Sequence, residues 1–433
     1  MAVNIVTVNV TEEVAPAPIR LQQTGAIVSQ GATTLTAGTY SLLTQVSDLT
    51  AILTGSVAIT SIVWSGSVVT VTTTTPHGVP SGDTVQGTIS GVTPTGYNGT
   101  FAITSTGTST FTYPLVSNPG VETALGVFTL ADVAELSAQV TTFFANGTTQ
   151  SVYVLELGVG TTAQGVTALT AYFTAPTLRF YAYLLPKEWD TESTAVTMAH
   201  AQNGLTAQIY FYVTTTISTY TAWLGLKSVI ATEPNPTLPS NEFSAAALFQ
   251  AALARNPNAS NMMTPLEYQF VFGVTANTAL TTANKVTLTA AGVNWIDTGA
   301  QGQISNTLVQ NGKYMDLNPF SFWYAVDWVN EHETVALAAA IINGSNTPQN
   351  PLYYNQAGIN TLQKVAQAVI NNSISFGLVL AGATVNAVPF ATYVAQNPSD
   401  YAVGAYNGLS CTFVPARGFD SITIFLTASN IPR

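Results

Sequence analysis

What this 433-residue chain lacks most is charge: 7% of its residues are Asp, Glu, Lys or Arg, against about 25% in an ordinary soluble domain. Hydrophobic residues make up 47%, so Thr, Ser, Gly, Asn and Gln fill the gap. A chain this rich in core-forming residues is not disordered, because disorder needs few of them and a high net charge. Basic residues are scarcer still, 10 against 21 acidic for a net charge of −11, and no Lys/Arg run occurs. That excludes a nucleic-acid binder, which needs a basic face to displace counterions. Cysteine is nearly missing too. With Cys411 alone, no intrachain disulfide and no Cys-based metal cluster can form. No run of about 18 apolar residues exists, so no membrane-spanning helix is expected. Met1–Val6 lacks the basic start and apolar core of a signal peptide. Gly every third residue and Lys/Glu heptads are absent, which excludes collagen and coiled coil. Length suggests about two to four domains. A surface so poor in charge is poor at keeping a protein monomeric, so much of it is expected to meet other protein.

What is present falls into stretches with different grammar. Val6, Val8 and Val10 alternate with Thr and Asn, the period of a strand, and Ala15-Pro16-Ala17-Pro18 then reads as an extended linker. This first strand is either an edge of its own domain or one lent to a neighbouring subunit. From Val57 to Ser117 short alternating runs are punctuated by glycines, with strands at 68–71, 84–86, 100–103 and 110–113. Turns fall at Pro80–Asp83 and at Tyr97-Asn98-Gly99, whose Asn-Gly pair supplies positive φ. These residues predict a small all-β module of sandwich or barrel type.

Beyond it, helix-period and strand-period segments alternate. Helices are predicted at 130–144, 163–173, near 191–203 and near 217–226, and strands at 152–157, 178–185, 208–213 and 228–232. Such alternation implies a parallel or mixed sheet covered by helices. Helices are also predicted at 244–254, 280–292, 322–342 and 356–371, with a hairpin-like region around 293–315. Two closing strands, Leu409–Val414 and Ser421–Thr427, flank Pro415-Ala416-Arg417-Gly418.

Chemistry is hard to find in this pattern. His332-Glu333 would need a histidine at 336 to form a zinc-protease helix, and that residue is Ala336. Asp327, Glu331 and Glu333 therefore read as a solvated helix face. Gly158-Val159-Gly160 follows a strand and precedes a helix, but the third glycine, Gly165, falls too late for a dinucleotide loop. No Walker lysine and no nucleophile elbow occur. Glu188, Asp190 and Glu192 lack calcium-loop spacing and read as a helix N-terminus. Trp323, Tyr324 and Trp328 read as a core or interface stripe. No catalytic, cofactor-binding or metal-ligating residue is assigned, no cofactor is expected, and the chain is not read as an enzyme.

Several phrases, in order, resemble contractile phage tail sheath proteins. The unit Ala131-Asp132-Val133 through Phe143-Phe144-Ala145-Asn146-Gly147, then the strand at Val152, is similar to their helix–aromatic–Asn-Gly–strand unit. Leu288–Asn294, Asn311-Gly312-Lys313-Tyr314-Met315-Asp316 and Asp327-Trp328 look like the approach to and start of the sheath C-terminal domain. Asn355-Gln356-Ala357-Gly358-Ile359, Ile374–Gly382 and Val414–Phe419 resemble the helix, its exit and the closing hairpin. The likeness covers about 1–55 and 120–433 and is nearest to a divergent, low-charge branch.

The resemblance implies an α/β (α+β) core with mixed sheets covered by helices, an inserted all-β module and extended terminal strand arms. It divides the chain into an arm and linker at 1–18, an α/β domain at 19–56 and 118–275, the insertion at 57–117 and a C-terminal domain at 276–433. It implies subunits polymerising as stacked rings around a tail tube through strand exchange, and contracting to drive the tube through a host envelope. Val3, Ile5, Val6, Val8 and Val10, with Ile422, Ile424 and Leu426, match the exchanged strands, and Lys364 would lie on a tube-facing helix. The implied partners are the chain itself, the tail tube, baseplate and tail terminator proteins, with no nucleic acid and no membrane insertion. The implied location is the virion tail, assembled in the host cytoplasm. Another tail component (tube or baseplate) and a polysaccharide-binding protein are the alternative readings.

Overall fold

The computed structural model describes residues 21–147, 149–204, 207–299, 304–348, 351–420, 422 and 424. The first strands, β1 (Gly25–Ser29) and β2 (Tyr40–Leu43), lead to a short helix α1 (Val46–Thr50). Six strands follow: β3 (Val57–Ser65), β4 (Val68–Thr73), β5 (Thr84–Ser90), β6 (Gly99–Gly107), β7 (Thr110–Pro114) and β8 (Val127–Leu130). Next come α2 (Ala131–Ala145), β9 (Val152–Glu156), α3 (Thr162–Thr174), β10 (Ala182–Leu184), α4 (Ser193–Ala201), β11 (Tyr210–Thr214) and β12 (Val229–Glu233). The series continues with α5 (Ser244–Leu253), α6 (Thr282–Ala291), β13 (Asn294–Gly299) and β14 (Ile304–Gln310). The C-terminal part holds α7 (Phe320–Asn346), α8 (Gln356–Ser375), β15 (Thr384–Ala387), α9 (Phe390–Gln396), α10 (Pro398–Ala402) and β16 (Leu409–Thr412).

Eight strands form one sheet in the order β14-β13-β12-β11-β10-β1-β9-β2. The six strands from β13 to β9 run parallel, and β14 and β2 flank them antiparallel. Parallel strands need long crossovers, which the helices supply, and those helices cover both faces. Every residue of β1 and β12 is buried, which explains why the runs Gly25–Ser29 and Val229–Glu233 show no polar alternation. One face packs α2, α5 and α7 around Phe143, Phe249 and Tyr324. The other packs α3, α4 and α6 around Leu169, Met198 and Leu288.

The β-rich stretch closes into a barrel, β3-β4-β7-β6-β5-β8, around Ile62, Val71, Ile103, Phe111 and Phe128. Gly87 admits the Phe128 ring, since a Cβ there would lie 2.3 Å from it. The sixth strand, β8, lies beyond the 57–117 range expected from sequence. Its alternation is only four residues long and runs without a break into α2, so the helix pattern masks it. Val133 packs against both the barrel and the main core.

Other boundaries differ from expectation for local reasons. The helix expected near 217–226 is only a 3-10 turn at Tyr220–Trp223. Trp223 is pulled into the core to donate its indole N–H to Asp190 (2.8 Å), and Gly225 breaks the chain direction at φ +79. The strand expected at 178–185 shortens to Ala182–Leu184. The first of the two expected closing strands, β16, pairs antiparallel with β15, and most of the second, Ser421–Thr427, lies outside the described residues. The segment after β16 is instead tied to the body, with Ala416 N–H donating to Leu378 O and Ser321 Oγ donating to Ala416 O.

Asp327 is not on a solvated face. It is 2% exposed and accepts from the hydroxyls of Tyr181 (3.0 Å) and Tyr210 (2.6 Å), stitching α7 to β10 and β11. Burial pushes its carboxyl up to about 6.

Candidate functional site

In a doubly wound sheet, ligands enter the crevice at the carboxyl ends of the strands where the winding reverses. Here that point lies at the end of β1, between β9 and β10, and side chains fill it. Glu156, at the end of β9, accepts from Gly31 N (2.7 Å), Gly158 N (2.7 Å), Thr33 N (3.2 Å), Thr33 Oγ1 (2.8 Å) and Ser29 Oγ (2.6 Å). The backbone N–H groups of the glycine loop thus already hold a carboxylate where a phosphate would sit. The start of α3 is closed by a capping box between Thr161 and Gln164. Gln30 bonds Gly160 O, Thr161 O and the Trp189 indole, sealing the rest.

The acidic group beside it is likewise engaged. Asp190 accepts from Trp223 and Thr219, and Glu192 caps α4 at Thr194 N–H. Glu135 accepts from Lys187 N–H, and burial, then the nearby Glu188 carboxylate, push it up to about 7. Among the described residues, no group of three or more His, Cys, Asp or Glu could hold a metal ion.

The C-terminal part offers a different kind of site. The two-stranded sheet β15–β16 lies against α8, with register Val385↔Cys411. Val385 N–H donates to Gln367 Oε1 (3.0 Å) and Val385 O accepts from Gln363 Nε2 (2.8 Å). Helix α8 therefore caps the outer edge of β15 with two glutamine side chains. Because Val385 turns its backbone groups away from β16, Val385↔Cys411 is a non-hydrogen-bonded pair, and alternation turns the N–H and C=O of Cys411 outward as well. Among the described residues nothing pairs with that outer edge of β16. A groove of about 510 Å³ runs beside it, lined by Leu337, Ile341, Leu352, Ile359, Leu362 and Cys411, with the Glu333 carboxylate and three tyrosines at its polar side. The Cys411 thiol is pushed up to about 11 by burial and the Glu333 carboxylate, so it is part of the apolar wall rather than a nucleophile.

Among the described residues, those lining this groove include none of the sequence-predicted arm or tube-facing residues. Val3, Ile5, Val6, Val8, Val10 and Leu426 lie outside the described residues. Ile422 and Ile424 are 80% and 70% exposed and belong to no strand. Lys364 is exposed on α8. Trp323, Tyr324 and Trp328 are buried against the sheet, as their stripe predicts. Sequence reasoning missed β15 and the two glutamines, since a four-residue Thr-Val-Asn-Ala strand has no readable pattern.

The resembling phrases acquire physical reasons. Asn355 caps α8 by accepting from Gly358 N–H (3.0 Å), and a Cβ on Gly358 would meet Tyr353 O at 2.0 Å. Asn311 and Gly312 adopt φ +80 and +59, with a Cβ on Gly312 only 2.4 Å from Glu267 N.

This architecture is an α/β scaffold with its crevice filled, plus a helical C-terminal part in which, among the described residues, one strand edge stays unpaired beside a groove. No family model and no curated protein matches the chain. Solved structures do. The helical sheath of the anti-feeding prophage in its contracted state matches with TM-score 0.54 at 11% identity, over 99% of this chain and 100% of that one. A chain in the baseplate of the same particle, also contracted, matches with TM-score 0.51 at 12% identity, over 100% of both. A sheath tail protein from Listeria innocua gives TM-score 0.45 at 12% identity, over 84% of this chain and 88% of that one. The chain has the fold of contractile sheath proteins.

Proposed function

We propose that this protein is the structural subunit of a contractile tail sheath, polymerising by strand exchange around a tail tube and contracting to drive the tube into a host. The carrying observation is the open edge of β16 over an apolar groove, in a chain whose own terminus, Val6-Thr7-Val8-Asn9-Val10, has the alternation that such an edge accepts. A neighbour's arm extends the sheet by backbone hydrogen bonds and places alternate valines in the groove. The Ala15–Pro18 linker keeps subunits tied while rigid bodies rotate. Ile422, Ile424 and Leu426 form the reciprocal arm at the other end. Contraction is the release of an extended lattice into one with more contacts between rigid units, so it needs no nucleotide. The subunit acts without catalysis, its partners being its own copies, the tube, the baseplate and the tail terminator, and Lys364 marks a tube-facing helix.

The barrel is an insertion, and its limits are better set at 57–130. Val57 pairs with Phe128, so the module enters and leaves on adjacent strands. A baseplate position is the second reading, favoured by the fold shared with the baseplate chain. Negative-stain imaging of the purified chain tests both: helical tubes support the sheath, closed single rings the baseplate. A variant lacking residues 1–18 is expected to stay folded and monomeric. Normal tubes from that truncation would remove the arm from the mechanism.

A further inference from the structure

Arg255 follows the last turn of α5 and is 7% exposed. Its Nε donates to Thr264 O (3.3 Å), its Nη2 to Pro265 O (2.9 Å) and Gln269 Oε1 (3.4 Å), and its Nη1 to Ala251 O. The guanidinium carbon lies 5.0 Å from the centre of the Phe320 ring. All of these partners are neutral. A buried cation is ordinarily matched by an anion, since removing it from water alone is costly. Among the described residues, however, the ion pairs involve Lys187, Lys285, Lys313 and Arg417, not Arg255. Burial pushes the Arg255 pKa down to about 10, as expected for a charge without its counter-charge.

Two cavities meet at this residue. One, of about 300 Å³, is walled by Asn146, Gln250, Asn261, Thr264 and Gln269. The other, of about 390 Å³, shares Arg255, Asn256 and Pro257 with the first and adds Gln23, His332 and Asn372. No Asp or Glu lines either cavity among the described residues, although acidic residues outnumber basic ones 21 to 10. Amide and hydroxyl donors around one guanidinium are the chemistry that holds oxyanions.

We propose that this pair of cavities is an oxyanion site, in which a carboxylate or phosphate group supplies the charge that Arg255 lacks. Four of the five guanidinium N–H groups are already engaged, and Asn146 Nδ2 is spent on Ala247 O and Gln250 Oε1, so the anion takes the remaining Nη1–H and the amide N–H groups of Gln250 and Gln269. Binding is therefore weak and not bidentate. The group comes either from solution or from an acidic side chain of a second copy of this chain.

The test is the melting temperature of the full chain at pH 8, at fixed ionic strength, with chloride replaced stepwise by phosphate or acetate. A saturable rise in either anion is expected. Gln269→Glu puts a carboxylate where Oε1 now stands, so it is expected to raise the melting temperature in chloride and to abolish the anion response. Arg255→Met is expected to lose the response too, and Gln269→Glu keeps the test valid if that variant does not fold. A rise that follows protein concentration without added anion, and disappears in Gln269→Glu, supports the site and assigns the group to a second copy. A wild type indifferent to both anions and to concentration, with a Gln269→Glu variant no more stable than wild type, would overturn the site and leave Arg255 as a carbonyl-satisfied cap of α5.

Discussion

If assembly uses the outer edge of β16, a proline at position 411 should weaken assembly and spare the monomer. The Cys411 N–H and C=O face away from β15, because its partner Val385 is bonded to Gln367 and Gln363. Cys411→Pro therefore removes no backbone hydrogen bond of the subunit, only the thiol's contact with Glu333, and edge strands tolerate proline. It does remove a donor to the incoming arm, and its ring occupies the space the arm's backbone must enter. Losing two to three backbone bonds at about 1 kcal/mol each weakens every such junction by about 2–3 kcal/mol. That corresponds to a roughly 30- to 140-fold rise in the concentration needed for polymerisation. Pelleting over a concentration series, with electron microscopy of the pellet, reads it directly. Thr412→Pro is the contrast: Thr412 pairs with Thr384 within the subunit, so it should lower the monomer's melting temperature. A folded Cys411→Pro variant that forms tubes at the wild-type concentration would refute the edge assignment.

Other expectations are as direct. The carboxyl of Asp327 sits at about 6 in the folded protein against about 3.9 unfolded, so folding favours its protonated form. Its contribution is complete below about pH 4 and is lost as the pH rises through about 6, a change of about 3 kcal/mol. Asp327→Asn should flatten that part of the stability–pH curve measured by denaturant titration. Unchanged curvature would show that Asp327 does not titrate in this range. Glu156→Gln leaves the Gly31 and Gly158 N–H groups facing an amide, costing about 2–5 kcal/mol, measurable in the same titration. Excising 57–130 behind a short Gly-Ser bridge should preserve tube formation on electron-microscopy grids, and loss of tubes would make the barrel an integral lattice contact.

The parts of the fold legible in sequence were those where local pattern and tertiary demand agree. Helix α2 announces itself through Leu136, Val140, Phe143 and Phe144 and stops at Asn146, whose side chain then bonds Ala247 O, Gln250 and Phe272 N–H. The alternating runs of the barrel were readable because its inside is apolar and its outside is Thr-rich. The candidate site was less legible. The arm's alternation allowed an edge strand or an exchanged one, and the edge proposed to receive it is four residues long and is defined by which backbone groups Gln363 and Gln367 already occupy. Asp327 misled for the same reason. A carboxylate on a helix that also carries Glu331 and Glu333 reads as solvated until two tyrosines from distant strands are placed over it.

The sequence by itself determined the element types, the separate β module and the scarcity of charge, because these rest on composition and on periods of two or 3.6 residues. It also lacks the third glycine of a dinucleotide loop in its place, a Walker lysine and the cysteines of a Cys-based cluster. Only the tertiary structure decided that Glu156 fills the sheet's crevice, that β8 closes the barrel, and that, among the described residues, Arg255 has no carboxylate partner and one edge of β15–β16 no strand partner. Each of those depends on contacts between residues far apart in the chain, where no local period carries information.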